Sequence, residues 1–193
     1  MSDRLLLILD LDETLIHARM ASLERPADFS LFGYHIYKRP HLSEFIQQCS
    51  ELFYLAVWSS ASDDYVKEVV RKIFPKPEIL RFVWGRSRAT LRRNIDPDYR
   101  HNSYDPDHMY YLKRLKKVKR LGWDLEKMLI VDETPEKCLE NYGNAIYPKP
   151  YEGDQNDNEL ELLAAYLGTL ANAPNVRAIE KRLWRQKVLE DGG

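Results

Sequence analysis

Cysteine is scarce. Cys49 and Cys138 are the only two, too few and too far apart for a metal or redox motif. Both are expected to be buried thiols in a reducing compartment, with a cytoplasmic location as the default. Long apolar runs are missing too: no stretch approaches the ~18 residues a membrane span needs, so no membrane association is expected. The first strand-like segment begins at Arg4, leaving no room for a signal peptide. Neither sign of charge dominates. The 29 Lys and Arg face 30 Asp and Glu, a net charge of −1, so overall charge selects no partner. Internal repeats and low-complexity tracts are also absent. What remains is a globular composition, 44% hydrophobic and 31% charged over 193 residues, enough for one domain with a proper core.

Charge is uneven locally. Residues 111–120 (YLKRLKKVKR) carry six cations and no anion, and residues 86–93 (RSRATLRR) carry four. The most informative stretch is Arg4 to Ile16, RLLLILDLDETLI. A run of Leu and Ile that stops at two carboxylates reads as a strand buried on both faces, as in a parallel sheet. Side chains two apart on an extended segment point the same way. Asp10 and Asp12 are therefore expected to project together from its carboxyl end, where open α/β sheets bind ligands.

An Asp placed there can attack phosphorus and form an aspartyl-phosphate. A second, two residues on, can protonate the leaving oxygen and later deprotonate water. Carboxylates facing a phosphate dianion need a divalent cation to hold them together, and a hard ion such as Mg²⁺ takes oxygen ligands. The plainer alternative is a strand followed by an acidic helix start, capped by Thr14 or Asp12.

Pro40 opens a helix whose Leu42, Phe45, Ile46 and Cys49 form one apolar stripe. Leu52 to Trp58 reads as a second buried strand, ended by Ser59 and Ser60. Ser62 is expected to cap the next helix, with Asp63 and Asp64 in its first turn and Tyr65, Val66, Val69, Val70 and Ile73 on its stripe. Ile79 to Trp84 reads as a third strand. Met128 to Val131 is a fourth, ending in Asp132 and Glu133, and Ala145 to Tyr147 is a fifth. Between them, Ala18 to Tyr34 reads as a loop or small excursion and residues 85–108 as an irregular insert. Met109 to Leu121 reads as a helix with Leu112, Leu115 and Leu121 inward and Gly122 stopping it. Thr134-Pro135 opens a helix to about Asn141; two more are expected, around Leu160–Leu170 and from Val176 to about Leu189. Strands alternating with helices predict a parallel sheet covered on both faces.

LDLDETLIH, KRPHLSEF, VWSSAS, a lysine before LGWDL, and LIVDETP together resemble the haloacid-dehalogenase (HAD) superfamily. Within it they resemble the FCP/SCP-like phosphatases that act on the C-terminal tail of RNA polymerase II. The resemblance runs over residues 4–170. It implies an HAD-like, Rossmannoid doubly wound parallel sheet of order 5-4-1-2-3 in a three-layer α/β/α arrangement, with Mg²⁺ and an aspartyl-phosphate intermediate. By the same resemblance Asp10 is the nucleophile and Asp12 the acid/base. Thr14, Ser59 and Ser60 are the candidates for binding the phosphoryl group, with helix capping the alternative for the two serines. The metal would be held by Asp10, Asp12 through its backbone carbonyl, and the pair Asp132 and Glu133. That pair is usually Asp-Asp or Asp-Asn, so the first ligand of the two stays open. The catalytic lysine aligns best with Lys116, counting back from Gly122; Lys113 and Lys117 lie on nearly the same face of the expected helix.

Residues 1–173 are expected to form the phosphatase domain, including the 85–108 insert, and 174–193 a helical extension. Neither Ala18–Lys38 nor the insert is long enough for a cap domain with its own core, since chains below ~40 residues rarely fold unaided. The site is therefore expected to be open and the substrate a protein bearing phosphoserine or phosphothreonine. Two alternatives stand beside this one. A polynucleotide 3′-phosphatase would use the basic segments on a phosphate backbone, although few aromatics interleave with them to stack bases. A non-catalytic module binding a phosphorylated ligand could dispense with Asp12. Nothing in the sequence indicates the oligomeric state.

Overall fold

β1 (Leu6–Leu9) is buried at every position, as an unbroken aliphatic run requires. The computed structural model describes residues 4–93 and 109–191. After β1 the chain makes a three-stranded antiparallel sheet from β2 (Ile16–Arg19), β3 (Phe29–Leu31) and β4 (Tyr34–Lys38), in the order β2-β4-β3. The stretch Ala18–Tyr34, read as a loop or small excursion, is an excursion that holds β3 and the ends of β2 and β4. α1 (Leu42–Leu52) then buries the expected stripe of Leu42, Phe45, Ile46 and Cys49. β5 (Tyr54–Trp58) and α2 (Asp63–Ile73) follow. Ser62 precedes α2 in an extended conformation, but its side chain makes no capping hydrogen bond.

The third sheet strand, β6, is only Val83–Trp84, because Pro77–Ile79 forms a 3₁₀ turn. β7 (Thr90–Arg93) pairs antiparallel with β8 (Met109–Leu112); residues 94–108 of the insert lie outside the described residues. The helix expected over Met109–Leu121 is therefore a strand followed by the single turn α3 (Lys116–Lys119). Met109-Tyr-Tyr-Leu112 favours a pleated, half-buried surface, and Thr90–Arg93 supplies the partner that overrides the helical period. β9 (Met128–Val131), a 3₁₀ stretch (Pro135–Asn144), β10 (Ala145–Ile146), α4 (Glu159–Leu170) and α5 (Trp184–Asp191) complete the order.

The central sheet runs β10-β9-β1-β5-β6, every pair parallel. Numbered by sheet strand alone this is 5-4-1-2-3, the expected doubly wound order. Side chains alternate across the sheet, and so do its two cores. Leu7, Leu9, Leu55, Val57, Leu129 and Val131 face α1, α2 and α4. Leu6, Ile8, Ala56, Trp58, Met128 and Ile130 face Leu115, Val118 and Cys138 on the other side. Trp184 is buried in the first core, its indole N–H donating to the Tyr147 carbonyl at 3.1 Å. The expected C-terminal extension thus packs onto the same body as the sheet, and its helix begins at Trp184, after a 3₁₀ turn at Val176–Ala178. Both cysteines are free and buried.

Arg39 of KRPHLSEF is fully buried. Its guanidinium donates to both Asp157 carboxylate oxygens at 2.8 Å and to the Thr14 and Lys149 carbonyls at 2.9 Å. A bidentate pair of this kind fixes geometry as well as charge. It ties the loop behind β1 to the segment leading into α4.

Candidate active site

The site lies where the sheet's hydrogen bonding runs one residue past its strands. The Asp10 amide donates to the Val131 carbonyl (3.0 Å), the Asp132 amide to Ile146 (3.2 Å), and the Ser59 amide to Trp84 (2.9 Å). Three candidate side chains on three neighbouring strands are thereby held at one edge by backbone bonds. β1 then turns tightly. The Leu11 carbonyl accepts from the amides of Thr14, Leu15 and Ile16 at 3.2, 2.8 and 3.1 Å. Glu13 takes a left-handed conformation, φ 59°, uncommon for a residue with a Cβ. His17 Nδ1 lies 2.9 Å from both Glu13 carboxylate oxygens, and the Tyr151 amide donates to the Glu13 carbonyl at 2.7 Å. These contacts hold the turn that carries Asp12.

Asp10 and Asp12 have different surroundings. Asp10 is 1% exposed. Its Oδ1 accepts from the Leu11 amide at 2.8 Å. Its Oδ2 lies 2.9 Å from both Lys113 Nζ and Lys137 Nζ. Burial opposes ionisation of Asp10, but the two ammonium groups outweigh it and lower its pKa to about 2. Asp12 is half-buried. Its Oδ1 accepts from Tyr65 Oη at 2.7 Å and its Oδ2 from Ser59 Oγ at 3.4 Å. Burial raises its pKa to about 6, the Tyr65 hydrogen bond resisting and the Asp10 charge adding. Two carboxylates two residues apart thus differ in proton affinity because only one touches the lysines.

The lysine at the site is Lys113, not Lys116. Lys116 is exposed on α3, whereas Lys113 is fully buried, with Nζ 2.6 Å from Asp132 Oδ2 as well as 2.9 Å from Asp10. Counting back from Gly122 points to Lys116 on an expected helix, whereas residues 109–112 form a strand that brings Lys113 inward. Lys117 turns away too, donating to the Arg88 carbonyl at 2.7 Å. The Lys113 backbone is fixed on both sides: its amide donates to the Lys137 carbonyl at 2.8 Å, and its carbonyl accepts from Asn141 Nδ2 at 2.5 Å. Desolvation would lower the Lys113 pKa, but Asp10 and Asp132 reverse the direction and raise it.

A second lysine was not anticipated. Lys137 follows Glu133 by four residues in LIVDETPEK, and its Nζ is 2.9 Å from Glu133 Oε1 and 3.4 Å from Asp132 Oδ1. The four-residue spacing was the signal available in the sequence. Thr14 is fully buried, and its hydroxyl donates to Glu133 Oε2 at 2.7 Å. It therefore braces an acid of the cluster instead of facing open space. Ser59 Oγ also accepts from the Ala61 amide at 3.1 Å. The Ser60 hydroxyl is buried with no hydrogen-bond partner among the described residues.

Asp10, Asp132 and Glu133 each offer a carboxylate oxygen within 4.8 Å of the others. Such an all-oxygen donor set suits a hard cation, and both members of the Asp-Glu pair take part. The Asp12 carboxylate is not in this cluster. A cavity of about 440 Å³ opens beside Asp12, lined by Ala18, Phe32, Tyr34, Tyr65 and Arg86 among others.

A doubly wound sheet with paired aspartates, a buried lysine and a distal acid pair along its carboxyl edge defines the haloacid-dehalogenase class. Within that class the chain belongs to the NLI interacting factor-like phosphatase family, whose model matches residues 5–177. It is 29% identical over 91% of its length to "CTD small phosphatase-like protein 2" of Dictyostelium discoideum, spanning 29% of that protein. It is 28% identical over 92% of its length to the human "Carboxy-terminal domain RNA polymerase II polypeptide A small phosphatase 1", spanning 64% of it. The fold matches the structure of Fcp1, described as an essential RNA polymerase II CTD phosphatase, with a TM-score of 0.65 over 91% of this chain and 69% of that one, at 19% identity.

Proposed function

We propose that this chain is a metal-dependent phosphoric monoester hydrolase acting through Asp10, with a phosphorylated protein as substrate. The carrying observation is the division of labour between the two aspartates. Asp10 is kept ionised by adjacent positive charge, Lys113 foremost, as a nucleophile must be. Asp12, with a pKa raised to about 6, can both give and take a proton near neutrality. Asp10 attacks phosphorus; the leaving oxygen departs with the proton of Asp12, and an aspartyl-phosphate remains on Asp10. Asp12 then takes a proton from water, whose oxygen attacks the phosphorus and returns Asp10 as carboxylate. Lys113 neutralises charge at Asp10 and holds Asp132. Asp10, Asp132 and Glu133 would hold Mg²⁺, which supplies Lewis-acid neutralisation of the phosphoryl oxygens.

The small antiparallel sheet at residues 16–38 borders the site without enclosing it, so a macromolecular substrate can cover Asp12. The cavity lined by Phe32, Tyr34 and Tyr65 suits an apolar residue flanking the phosphate. A cytoplasmic site of action goes with this reading. The test compares kcat/KM for phosphoserine and phosphothreonine peptides with that for sugar phosphates, nucleotides and 3′-phosphorylated oligonucleotides. Peptides are expected to lead. A small metabolite ahead by orders of magnitude would refute the substrate class, and a leading oligonucleotide would favour the polynucleotide reading.

Asp12 adds a pH prediction. As the general acid it must start protonated, so kcat/KM should fall roughly tenfold per pH unit above about 6. The same shift makes ionised Asp12 a burden on the fold. Its folded pKa lies above the ordinary 3.8, at about 6, so the cost is absent below 3.8 and complete above 6, reaching at most about 3 kcal/mol. Asp12→Asn should therefore lower turnover by roughly 10²–10⁴-fold while raising the melting temperature at pH 7. A variant that lost stability together with activity would contradict this assignment.

A further inference from the structure

The acid cluster of Asp10, Asp132 and Glu133 already contains a positive charge. Lys137 Nζ lies 2.9 Å from Asp10 Oδ2, 2.9 Å from Glu133 Oε1 and 3.4 Å from Asp132 Oδ1, so it contacts all three of the residues whose oxygens converge within 4.8 Å. A Mg²⁺ ion binds oxygen at ~2.0–2.1 Å and dehydrates reluctantly. It would have to approach the same three carboxylates, which already carry the ammonium groups of Lys113 and Lys137, and a further cation there adds strong repulsion.

We infer that Lys137 is a built-in competitor for the metal. Without metal its ammonium offsets part of the cluster's negative charge, and it must swing out before a divalent cation can be held. This rests on the metal-dependent reading above. The surroundings of the two lysines separate their roles. Lys113 has a fully buried side chain, paired with both Asp10 and Asp132 and fixed at its amide and its carbonyl. The Lys137 side chain is 19% exposed, so it has a route to solvent. The Lys137 backbone meanwhile stays anchored, its amide donating to the Thr134 carbonyl at 3.1 Å and its carbonyl accepting from the Lys113 amide. Only the side chain has to leave. Its flexible stem and compact charge suit such an exchange.

The consequence is a lowered apparent affinity for metal together with a cluster whose three carboxylates keep two counter-charges, Lys113 and Lys137, without it. If the ammonium occupies the cluster in ~90% of metal-free molecules, the apparent Kd is raised about tenfold over the intrinsic one. Removing the charge while keeping the side chain's bulk should therefore tighten metal binding, the reverse of what loss of a ligand or of a structural residue would do.

The experiment measures Mg²⁺ binding to the full chain without substrate. Calorimetry gives the Kd for wild type, Lys137→Met and Lys137→Arg, and nitrogen-15 NMR follows the lysine Nζ signals of the wild type through the same titration. Lys137→Met should bind Mg²⁺ about tenfold more tightly and melt at a lower temperature in its absence. Lys137→Arg, which keeps the charge, should bind no more tightly than wild type. In the wild type, Mg²⁺ should move the Lys137 Nζ signal towards that of a solvent-exposed amine and leave Lys113 paired. Should Lys137→Met not fold without metal, the wild-type NMR titration decides by itself. Equal or weaker binding by a folded Lys137→Met, or an unmoved Lys137 signal at saturating Mg²⁺, overturns the competitor role and leaves the phosphatase reading standing. No binding to wild type or Lys137→Met at tens of millimolar Mg²⁺ overturns both.

Discussion

Asp10→Asn is expected to reduce turnover to background, because an amide does not attack phosphorus and no neighbouring carboxylate occupies the same place. Asp12 cannot substitute, since its oxygens are engaged with Tyr65 and Ser59. The fold should also suffer. The folded pKa of Asp10 lies below its ordinary 3.8, at about 2, so its charge contributes stability that is complete above about 4 and lost as pH falls through 2. That shift corresponds to about 2 kcal/mol at neutral pH, which Asp10→Asn forfeits. Phosphate release under multiple and single turnover, together with denaturant melts at pH 7 and pH 3, would measure both effects. A variant that still released phosphate at near wild-type rate would remove Asp10 from the chemistry. Stability insensitive to the substitution at pH 7 would contradict the charge balance drawn around it.

Lys113→Met should be the most damaging single change to stability at the site. Lys113 is buried between Asp10 and Asp132, and removing one partner of a buried ion pair leaves carboxylates without a deep counter-charge. Breaking such a pair typically costs about 3–5 kcal/mol. Turnover should fall by at least the factor of roughly 10² associated with loss of a well-placed electrostatic donor. Lys116→Ala is the control, because its side chain is exposed on α3 and surface changes usually stay within about 0.5 kcal/mol. Urea denaturation and kcat for the two variants side by side give the ranking. If Lys116→Ala impaired turnover as severely as Lys113→Met, the catalytic lysine would have been placed wrongly.

Much of the molecule follows from residue order alone. The apolar runs 5–9, 53–58 and 128–131 enter the central sheet, and nearly all their side chains are buried, as a sheet covered on both faces requires of unbroken apolar runs. The stripes at Leu42–Cys49 and Tyr65–Ile73 bury as their 3.6-residue period requires. Asp10, Ser59 and Asp132 reach one edge because each is the first polar residue after such a run.

What only tertiary structure decided lies where local signals compete or partners are far apart in sequence. Met109–Leu121 has a helical leucine spacing, yet pairing with Thr90–Arg93 makes its first four residues a strand, and that change sends Lys113 inward and leaves Lys116 outside. The antiparallel sheet at 16–38 depends on β2 and β4 finding one another across a connection that itself supplies β3. Lys137 becomes part of the site because β9 runs beside β1, a neighbourhood set by the sheet order and by no local feature. The unequal proton affinities of Asp10 and Asp12 belong to the same class. Composition makes the two residues identical; their pKa values separate because folding surrounds one with ammonium groups and the other with a phenol and apolar walls.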